Sequence, residues 1–166
     1  MKILHISTMD DGGAGKAAAR LHCGLLRIGV DSQMLVKQSA SGAPGIFPLV
    51  PQKPTLRVRL HDEIRRRRLH RDLARYTEGR PVRRGALSDD RTLLDLSRHP
   101  LIRNADVIHL HWIAQFVDFT ALFSSVTVKP IVWTLHDMHP FTGGCHYAGD
   151  CLKYERSCGD CPQLAS

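Results

Sequence analysis

The chain has 166 residues, of which 43% are hydrophobic and 23% are charged. This length suits one domain with a sizeable core, and the composition is that of an ordinary globular protein. No apolar run approaches the roughly 20 residues of a membrane span, and the N-terminus lacks the pattern of a signal peptide, so the sequence predicts a cytoplasmic protein. Five cysteines, an odd number, argue against a secreted disulfide scaffold.

The net charge of +7 is concentrated in one segment, residues 55–84. This segment holds eleven arginines against four acidic residues, whereas the rest of the chain has equal numbers of basic and acidic side chains. Such localisation indicates one anionic surface as a partner.

The N-terminal third has the pattern of a strand, a glycine-rich turn, a helix and a second strand. Lys2 to Ser7 is a short apolar run typical of a buried parallel strand, and Thr8 to Gly15 is expected to have no regular structure. A helix is predicted from Lys16 to a C-terminal cap at Gly29, and Ser32 to Val36 is the next strand. This βαβ unit predicts an α/β protein with a Rossmann-like, doubly wound, mostly parallel sheet. The apolar residues at helical spacing are Ala17, Ala18, Leu21, Leu25 and Ile28.

The middle of the chain is loop-like over residues 39–54, apart from a possible short strand at Ile46 to Val50. Residues 55–84 form a basic helical segment that ends at Gly79 and Pro81. Arg91 to Leu101 is predicted as a short helix broken at Pro100. The apolar side of the basic helix would be formed by Leu60, Ile64, Leu69, Leu73 and Tyr76.

The second half is predicted to add two strands with a helix between them. The strands are Ala105 to His111 and Ile131 to Leu135, and the helix covers roughly Asp118 to Ser125. Residues 136–164 follow as a Cys/His-rich loop without periodicity. The whole chain, 1–166, is expected to be a single domain of four to five strands, truncated near its C-terminal end.

The first candidate site is the glycine-rich segment Gly12, Gly13, Ala14 and Gly15. Glycines let backbone N–H groups approach a phosphate, and a helix N-terminus adds a favourable dipole. The segment is neither a Walker A loop nor a G-x-G-x-x-G motif, so a flexible turn is the alternative interpretation.

Histidines follow two of the predicted strands at their carboxyl ends, where open α/β sheets bind ligands. His109 and His111 share one face of their strand, and we expect His109 in the core and His111 in a cleft. His136 and Asp137 leave the next strand. His136 could hydrogen-bond a hydroxyl group or a developing charge, with Asp137 fixing its tautomer.

A third candidate is a group of four cysteines, Cys145, Cys151, Cys158 and Cys161. Four thiols within seventeen residues, including a C-x-x-C, suit a structural zinc site in a reducing compartment. A reduced or redox-active cluster is the alternative, since the spacing matches no standard zinc finger. Cys23 is expected to be buried in the first helix.

The basic helix, with Arg65, Arg66, Arg67 and Arg68 at its centre, favours an anionic membrane surface as its partner. Each basic residue near lipid headgroups could contribute about 1 kcal/mol. The alternative without a binding function is a basic helix face that is simply solvated. Nucleic acid is disfavoured as a partner because the segment has one aromatic residue and no stacking platform.

The run IVWTLHDMHPFTGGCHYAGDCLKYERSCGDCPQL, from Ile131 to Leu164, resembles a bacterial subgroup of family 4 glycosyltransferases, which have the GT-B fold. The upstream ADVIHLHWI and GGAGKAAARLHCGLLRIGVDSQMLV segments resemble the same subgroup in the same order. His139 stands where that subgroup would have Trp. The resemblance weakens between Ser39 and Asp90.

This resemblance implies the N-terminal, acceptor-side domain of a retaining enzyme of surface polysaccharide biosynthesis. A sugar would pass from a nucleotide-sugar donor to a glycan or lipid-linked acceptor at the inner membrane face. It implies that His136 lies near the transferred sugar, that residues 12–15 approach the donor phosphate, and that a missing second domain holds most of the donor. No cofactor is needed for the chemistry beyond the nucleotide-sugar co-substrate, and this chain alone would be nearly inactive.

A second hypothesis needs no enzyme. The chain would then be a zinc-stabilised binding module that docks on anionic lipid or RNA through Arg57 to Arg84.

Overall fold

The computed structural model describes residues 1–49, 56–77, 87–92 and 94–164. Its five strands form one all-parallel sheet in the order β3-β2-β1-β4-β5. The strands are β1 (Lys2–Met9), β2 (Asp31–Gln38), β3 (Ile46–Pro48), β4 (Val107–Leu110) and β5 (Ile131–Trp133). The helices are α1 (Gly12–Arg27), α2 (Leu56–Thr77), α3 (Pro100–Asn104) and α4 (Phe119–Ser125), with short 3-10 turns at His139–Phe141 and Lys153–Glu155.

The predicted α/β class and parallel sheet are confirmed, and the arrangement is consistent with a Rossmann-like fold. The chain runs from β1 outward to β3, then returns to the other side of β1 for β4 and β5. The strand order therefore reverses between β1 and β4. In open α/β sheets the crevice at such a switch point, beyond the carboxyl ends of the strands, is where ligands bind.

The two faces of the sheet bury different side chains. On one face Leu4, Ile6 and Leu110 pack in a large apolar cluster with Ile102 of α3 and Leu122 of α4. On the other face α1 places Ala18 against a smaller cluster with Met34, Val36 and Ile46 of the neighbouring strands. The second face also carries several histidines, which makes it unusually polar.

The glycine-rich segment is not a loop, contrary to the prediction for Thr8 to Gly15. Thr8 and Met9 end β1, and Gly12 to Gly15 form the first turn of α1. Gly15 is buried, and a Cβ added there would lie 2.6 Å from the carbonyl oxygen of Met9. Glycine at this position therefore lets the helix begin directly against the end of β1.

The C-terminal end of α1 agrees with the prediction. Gly29 adopts a positive φ of 79°, and its N–H donates to the Leu26 carbonyl while the Val30 N–H donates to the Leu25 carbonyl. This is a Schellman motif, which favours glycine at this position. The buried residues of α1 are Gly15, Ala18 and His22. Ala17, Leu21 and Ile28, which belong to the predicted apolar side, are exposed.

The helix predicted from Arg91 to Leu101 is wrong for residues 91, 92 and 94–99, which are described and are not helical. Instead, Pro100 begins α3, and the ring nitrogen Nδ1 of His99 accepts a hydrogen bond from the Leu101 N–H as the N-terminal cap. Proline is favoured in a first helical turn, where its missing N–H has no intrahelical partner.

The basic segment forms α2, as predicted, and the described part of the helix ends at Thr77. The predicted ending at Gly79 and Pro81, and the Val50 end of the possible third strand, lie outside the described residues. No helix in the described ranges is both long and apolar enough to cross a bilayer.

We predict that Gly15→Ala destabilises the fold by roughly 2 kcal/mol, because the new methyl group would press on a backbone carbonyl that cannot move away. Chemical unfolding in urea measures the change. Gly13→Ala is the matched control in the same helical turn. A Cβ there meets nothing within 4 Å, so stability should stay the same or rise by up to about 1 kcal/mol. Equal effects of the two substitutions would contradict the packing argument.

Candidate functional site

The carboxyl edge of the sheet at the switch point gathers the predicted glycine-rich segment and the two histidines His111 and His136. Residues 12–15 begin α1 just beyond β1, His111 follows β4, and His136 follows β5. The Thr8 N–H donates to the Trp112 carbonyl at 2.7 Å, which joins the end of β1 to the segment after β4. The carboxyl ends of β1, β4 and β5 therefore lie side by side at this edge.

The N-terminus of α1 faces this edge without a side-chain cap. Asp11 occupies the N-cap position and makes no capping hydrogen bond through its side chain. Gly12 and Gly13 are exposed, so backbone N–H groups of the first turn are accessible to a ligand. Such uncapped N–H groups and the helix dipole favour an anion.

Asp10, one residue earlier, has a structural role that the sequence did not reveal. It is buried, and its carboxylate accepts hydrogen bonds from Ser39, Ala40 and Ser41. Burial would raise the pKa of Asp10, but these bonds outweigh it and hold the pKa well below its usual range. Asp10 therefore fixes the turn after β2 against the start of α1.

Histidines from two strands form a cluster on the face that α1 covers. His5 of β1 is opposite His109 of β4 in the sheet register, and His111 follows two residues later on the same face. His5 and His111 are 0% and 3% exposed. His109 is half-buried and bonds Thr134 at 2.7 Å. The order of exposure is therefore opposite to the expectation that His109 is the core residue and His111 the cleft residue.

The buried histidines are linked in a chain that leads to the site. The His5 Nδ1 lies 3.1 Å from the His111 Nε2, and the His111 Nδ1 lies 3.2 Å from the His136 Nε2. Burial, and secondarily the neighbouring histidines, lowers the pKa of both His5 and His111 to about 3. Both rings are therefore neutral at physiological pH.

His22 of α1 is a further buried histidine that sequence reasoning missed. Its Nε2 lies 3.0 Å from the Pro44 carbonyl, which can only accept, so the proton is on Nε2. The Nδ1 then accepts from the Ser32 hydroxyl at 2.7 Å. His22 recurs at helical spacing with Gly15 and Ala18, which was the available signal for a buried position.

Asp137 does not contact His136, so the expectation that it fixes the tautomer of His136 is wrong. Its carboxylate accepts from the indole N–H of Trp112 at 2.8 Å, from His146 Nδ1 at 2.5 Å, and from the backbone N–H of His139 at 3.0 Å. Burial raises the pKa of Asp137, but these hydrogen bonds outweigh it and keep the pKa below its usual value. Asp137 anchors the Cys/His-rich segment to the end of β4.

His146 connects Asp137 to Ser88, because the Ser88 hydroxyl lies 2.8 Å from His146 Nε2. Asp137, His146 and Ser88 thus have the connectivity of a catalytic triad. However, all three side chains are buried, and the Ser88 backbone is itself held by Gly144 and His139. This network joins residues 87–92 to the C-terminal segment, and we assign it a structural role.

The four cysteines of the C-terminal segment come together. Cys145, Cys151, Cys158 and Cys161 all line one cavity of about 40 Å³, and none forms a disulfide. The backbone N–H of Gly143 donates to the Cys158 Sγ at 3.2 Å. Cys23 of α1 is partly exposed, so the expectation that it is buried is wrong.

Three histidines, and not the cysteines, place their ligand atoms close enough together to share a metal ion. His5, His109 and His111 are the only group of three or more His, Cys, Asp or Glu residues, among those described, whose ligand atoms all lie within 4.8 Å of one another. They could therefore hold a metal ion. Their orientation is less suitable, because the His109 and His111 rings stack at 4.3 Å with planes 27° apart. A metal binds in the plane of each imidazole, so one ring would have to rotate.

The arginines of α2 whose side chains are described are exposed, and acidic side chains of the same helix pair with some of them. Arg66 and Arg67 both pair with Glu63, and Arg68 is exposed. The side chain of Arg65 lies outside the described part of the helix. Asp72 bonds Arg91 at 3.1 Å and so links α2 to the segment before α3.

Fold and site together define an α/β protein whose candidate ligand edge lies at the switch point of the sheet. Comparisons with models of protein families, with curated proteins and with solved structures found no match.

The buried neutral histidines predict a specific pH dependence of stability. Their pKa is lower in the folded chain (about 3) than in the unfolded chain (about 6.5), so the unfolded state takes up protons first as the pH falls. Their contribution to the free energy of unfolding is fully present above pH ~6.5 and is lost progressively toward pH ~3. Each histidine lowers the free energy of unfolding by up to about 1.4 kcal/mol per pH unit over this range.

Urea unfolding between pH 7 and pH 5, where carboxylates contribute little, tests this pH dependence. We expect His111→Gln to flatten the decline, whereas Ile6→Val, a buried control without a titrating group, should lower stability by a similar amount at every pH. Identical slopes for His111→Gln and the parent chain would refute the assignment to His111.

Proposed function

We propose that the chain is the acceptor-side domain of a retaining glycosyltransferase with the GT-B fold, of the family 4 type. With a donor-binding domain it would transfer a sugar from a nucleotide-sugar to a glycan or lipid-linked acceptor in surface polysaccharide biosynthesis. The observation that carries the proposal is the placement of His136, His111 and the uncapped start of α1 at the switch-point edge of a parallel sheet.

The chemistry of this edge suits such a transfer. A departing nucleoside diphosphate accumulates negative charge, and the accessible N–H groups of Gly12 and Gly13 offer uncharged donors for it. His136 is partly exposed at the same edge and held by His111, so its ring is oriented but accessible. The resemblance of residues 131–164 to family 4 enzymes supplies the reaction class.

The test is sugar transfer by this chain joined to a donor-binding domain, using a nucleotide-sugar and a lipid-linked acceptor. We expect His136→Ala to lower turnover by about a hundredfold or more, the usual effect of removing a group that stabilises the transition state. Val128→Ala, a substitution of a 91% exposed residue before β5, is the control and should leave turnover unchanged. Full activity of His136→Ala would exclude the proposed role.

We further propose that α2 holds the domain on an anionic membrane surface. Leu56, Leu60 and Ile64 recur every fourth residue and are 81%, 63% and 46% exposed, beside the exposed Arg66, Arg67 and Arg68. Apolar side chains flanked by arginines suit the interface of a bilayer with acidic lipids.

Flotation with vesicles of phosphatidylglycerol and phosphatidylcholine tests this surface. Replacing Arg66, Arg67 and Arg68 together by alanine should weaken binding about a hundredfold, at about 1 kcal/mol for each charge. Replacing Arg20, Arg27 and Arg98 removes the same charge elsewhere and should have a smaller effect. Equal losses, or binding to RNA but not to vesicles, would contradict the membrane proposal.

For the cysteines we propose a structural zinc ion. Four thiols around one small cavity, with a backbone N–H donated to Cys158, provide a donor set that suits zinc. The sulfurs must move inward, because no three of them lie within 4.8 Å of one another, whereas tetrahedral zinc places them about 3.8 Å apart.

Elemental analysis of the purified protein distinguishes the possible metal sites. We expect one zinc per chain, lost in Cys161→Ser and retained in Cys23→Ser. Zinc that survives Cys161→Ser but is lost in His109→Asn would place the metal at the histidine cluster instead. Protein without zinc would leave the cysteines as thiols.

A further inference from the structure

The ring protons of His5, His111 and His136 can be arranged in two ways along their chain of hydrogen bonds. Each contact joins two ring nitrogens, and a neutral imidazole has one N–H and one lone pair. His111 therefore donates to one neighbour and accepts from the other. As a result, the hydrogen bonds run in one direction along the whole chain.

The two possible directions differ in what they leave at the ends. If His136 donates inward, His5 accepts at Nδ1 and has its hydrogen on Nε2. If His5 donates outward from Nδ1, the unused N–H is the Nδ1–H of His136. One end is in the core and the other is at the partly exposed edge.

The environment of His5 favours the outward direction. Its Nε2 is buried and has no hydrogen-bond partner, and the residue is 0% exposed. A buried N–H without an acceptor is among the rarest defects in native proteins, and leaving a group unsatisfied costs roughly 1–3 kcal/mol. A hydrogen on His136 Nδ1 instead meets solvent or a ligand.

From this geometry we propose that His5 and His111 are positioning residues that hold His136 as the Nδ1–H tautomer. His136 then presents a hydrogen-bond donor, and not a proton-accepting lone pair, to whatever binds at the edge. The ligand would be an oxygen acceptor, such as a phosphoryl or hydroxyl oxygen. That use of the donor rests on the proposed function, whereas the tautomer itself does not.

The neutral state of the inner rings is consistent with this arrangement. His5 is surrounded by the rings of His22, His109 and His111 at centroid distances of 5.0 to 6.0 Å, and no carboxylate contacts it among the described residues. Burial keeps the pKa of both inner rings far below neutrality. A single extra proton would reverse or break the chain, and the environment opposes it.

Nitrogen NMR of the full chain, labelled in its histidine rings, tests the inference at pH 7.5. Long-range proton–nitrogen correlations distinguish the two tautomers. We expect Nδ1–H forms for His5, His111 and His136, and the Nε2–H form for His22, whose hydrogen bond to Pro44 requires it. An Nε2–H form of His136, or rapid exchange between both forms, would overturn the proposal.

Two variants test the dependence on the chain. His5→Leu removes the inner donor, and we expect His136 to become a mixture of tautomers, with the amide spectrum showing that the fold persists. His22→Gln alters a buried histidine on the same face that lies outside the chain, and His136 should remain Nδ1–H. If His5→Leu does not fold, the parent spectrum still decides the tautomer.

A metal ion at the histidine cluster is a separate outcome. Ring signals of His5 and His111 that change on addition of EDTA would show metal ligation and overturn the hydrogen-bonded chain. An Nδ1–H form of His136 together with full sugar transfer by His136→Ala would retain the tautomer and reject the proposed function. An Nε2–H form of His136 together with loss of sugar transfer in His136→Ala would reject the tautomer and retain the proposed function.

Discussion

The parallel pairing of β1 with β4 is the contact on which the site depends. Because β4 joins β1 after the chain has already built β2 and β3 on the other side, the strand order reverses at this pair. The start of α1 and the segment after β4 then leave the sheet at the same edge, which is where open α/β sheets bind ligands. The same register places His5 opposite His109 and within reach of His111. One strand pairing thus sets both the candidate ligand edge and the polar layer behind it.

That polar layer has an energetic cost, and its arrangement shows how the cost is limited. Histidine rings on a buried sheet face are tolerated when they are neutral and when their nitrogens find partners. His22 satisfies both nitrogens with Ser32 and Pro44, and His111 satisfies both with other histidines. The Nε2 of His5 is the one buried ring nitrogen without a partner among the described residues, and this unsatisfied atom controls the direction of the chain that ends at His136.

The sequence predicted the class of fold because its strongest signals were local. The apolar runs of β1 and β4 and the cap at Gly29 depend on neighbouring residues alone. Contacts distant in sequence were not predictable, and the bonds from Asp10 to residues 39–41 are an example. The start of α1 was misread because glycine usually indicates a turn, whereas Gly15 is required by a carbonyl of the preceding strand.

The error over Asp137 has a simple geometrical reason that also explains how the site is divided. His136 and Asp137 lie in the bend after β5, where their side chains bond different partners. His111 and Trp112, which follow β4, are divided in the same way. His111 therefore meets His136, and Trp112 meets Asp137. Two adjacent strand ends thus form two separate networks, one neutral and directed at the ligand edge, the other anionic and holding the C-terminal segment in place. This separation keeps the negative charge of Asp137 out of hydrogen-bonding contact with the ring that is proposed to meet a phosphoryl or hydroxyl oxygen.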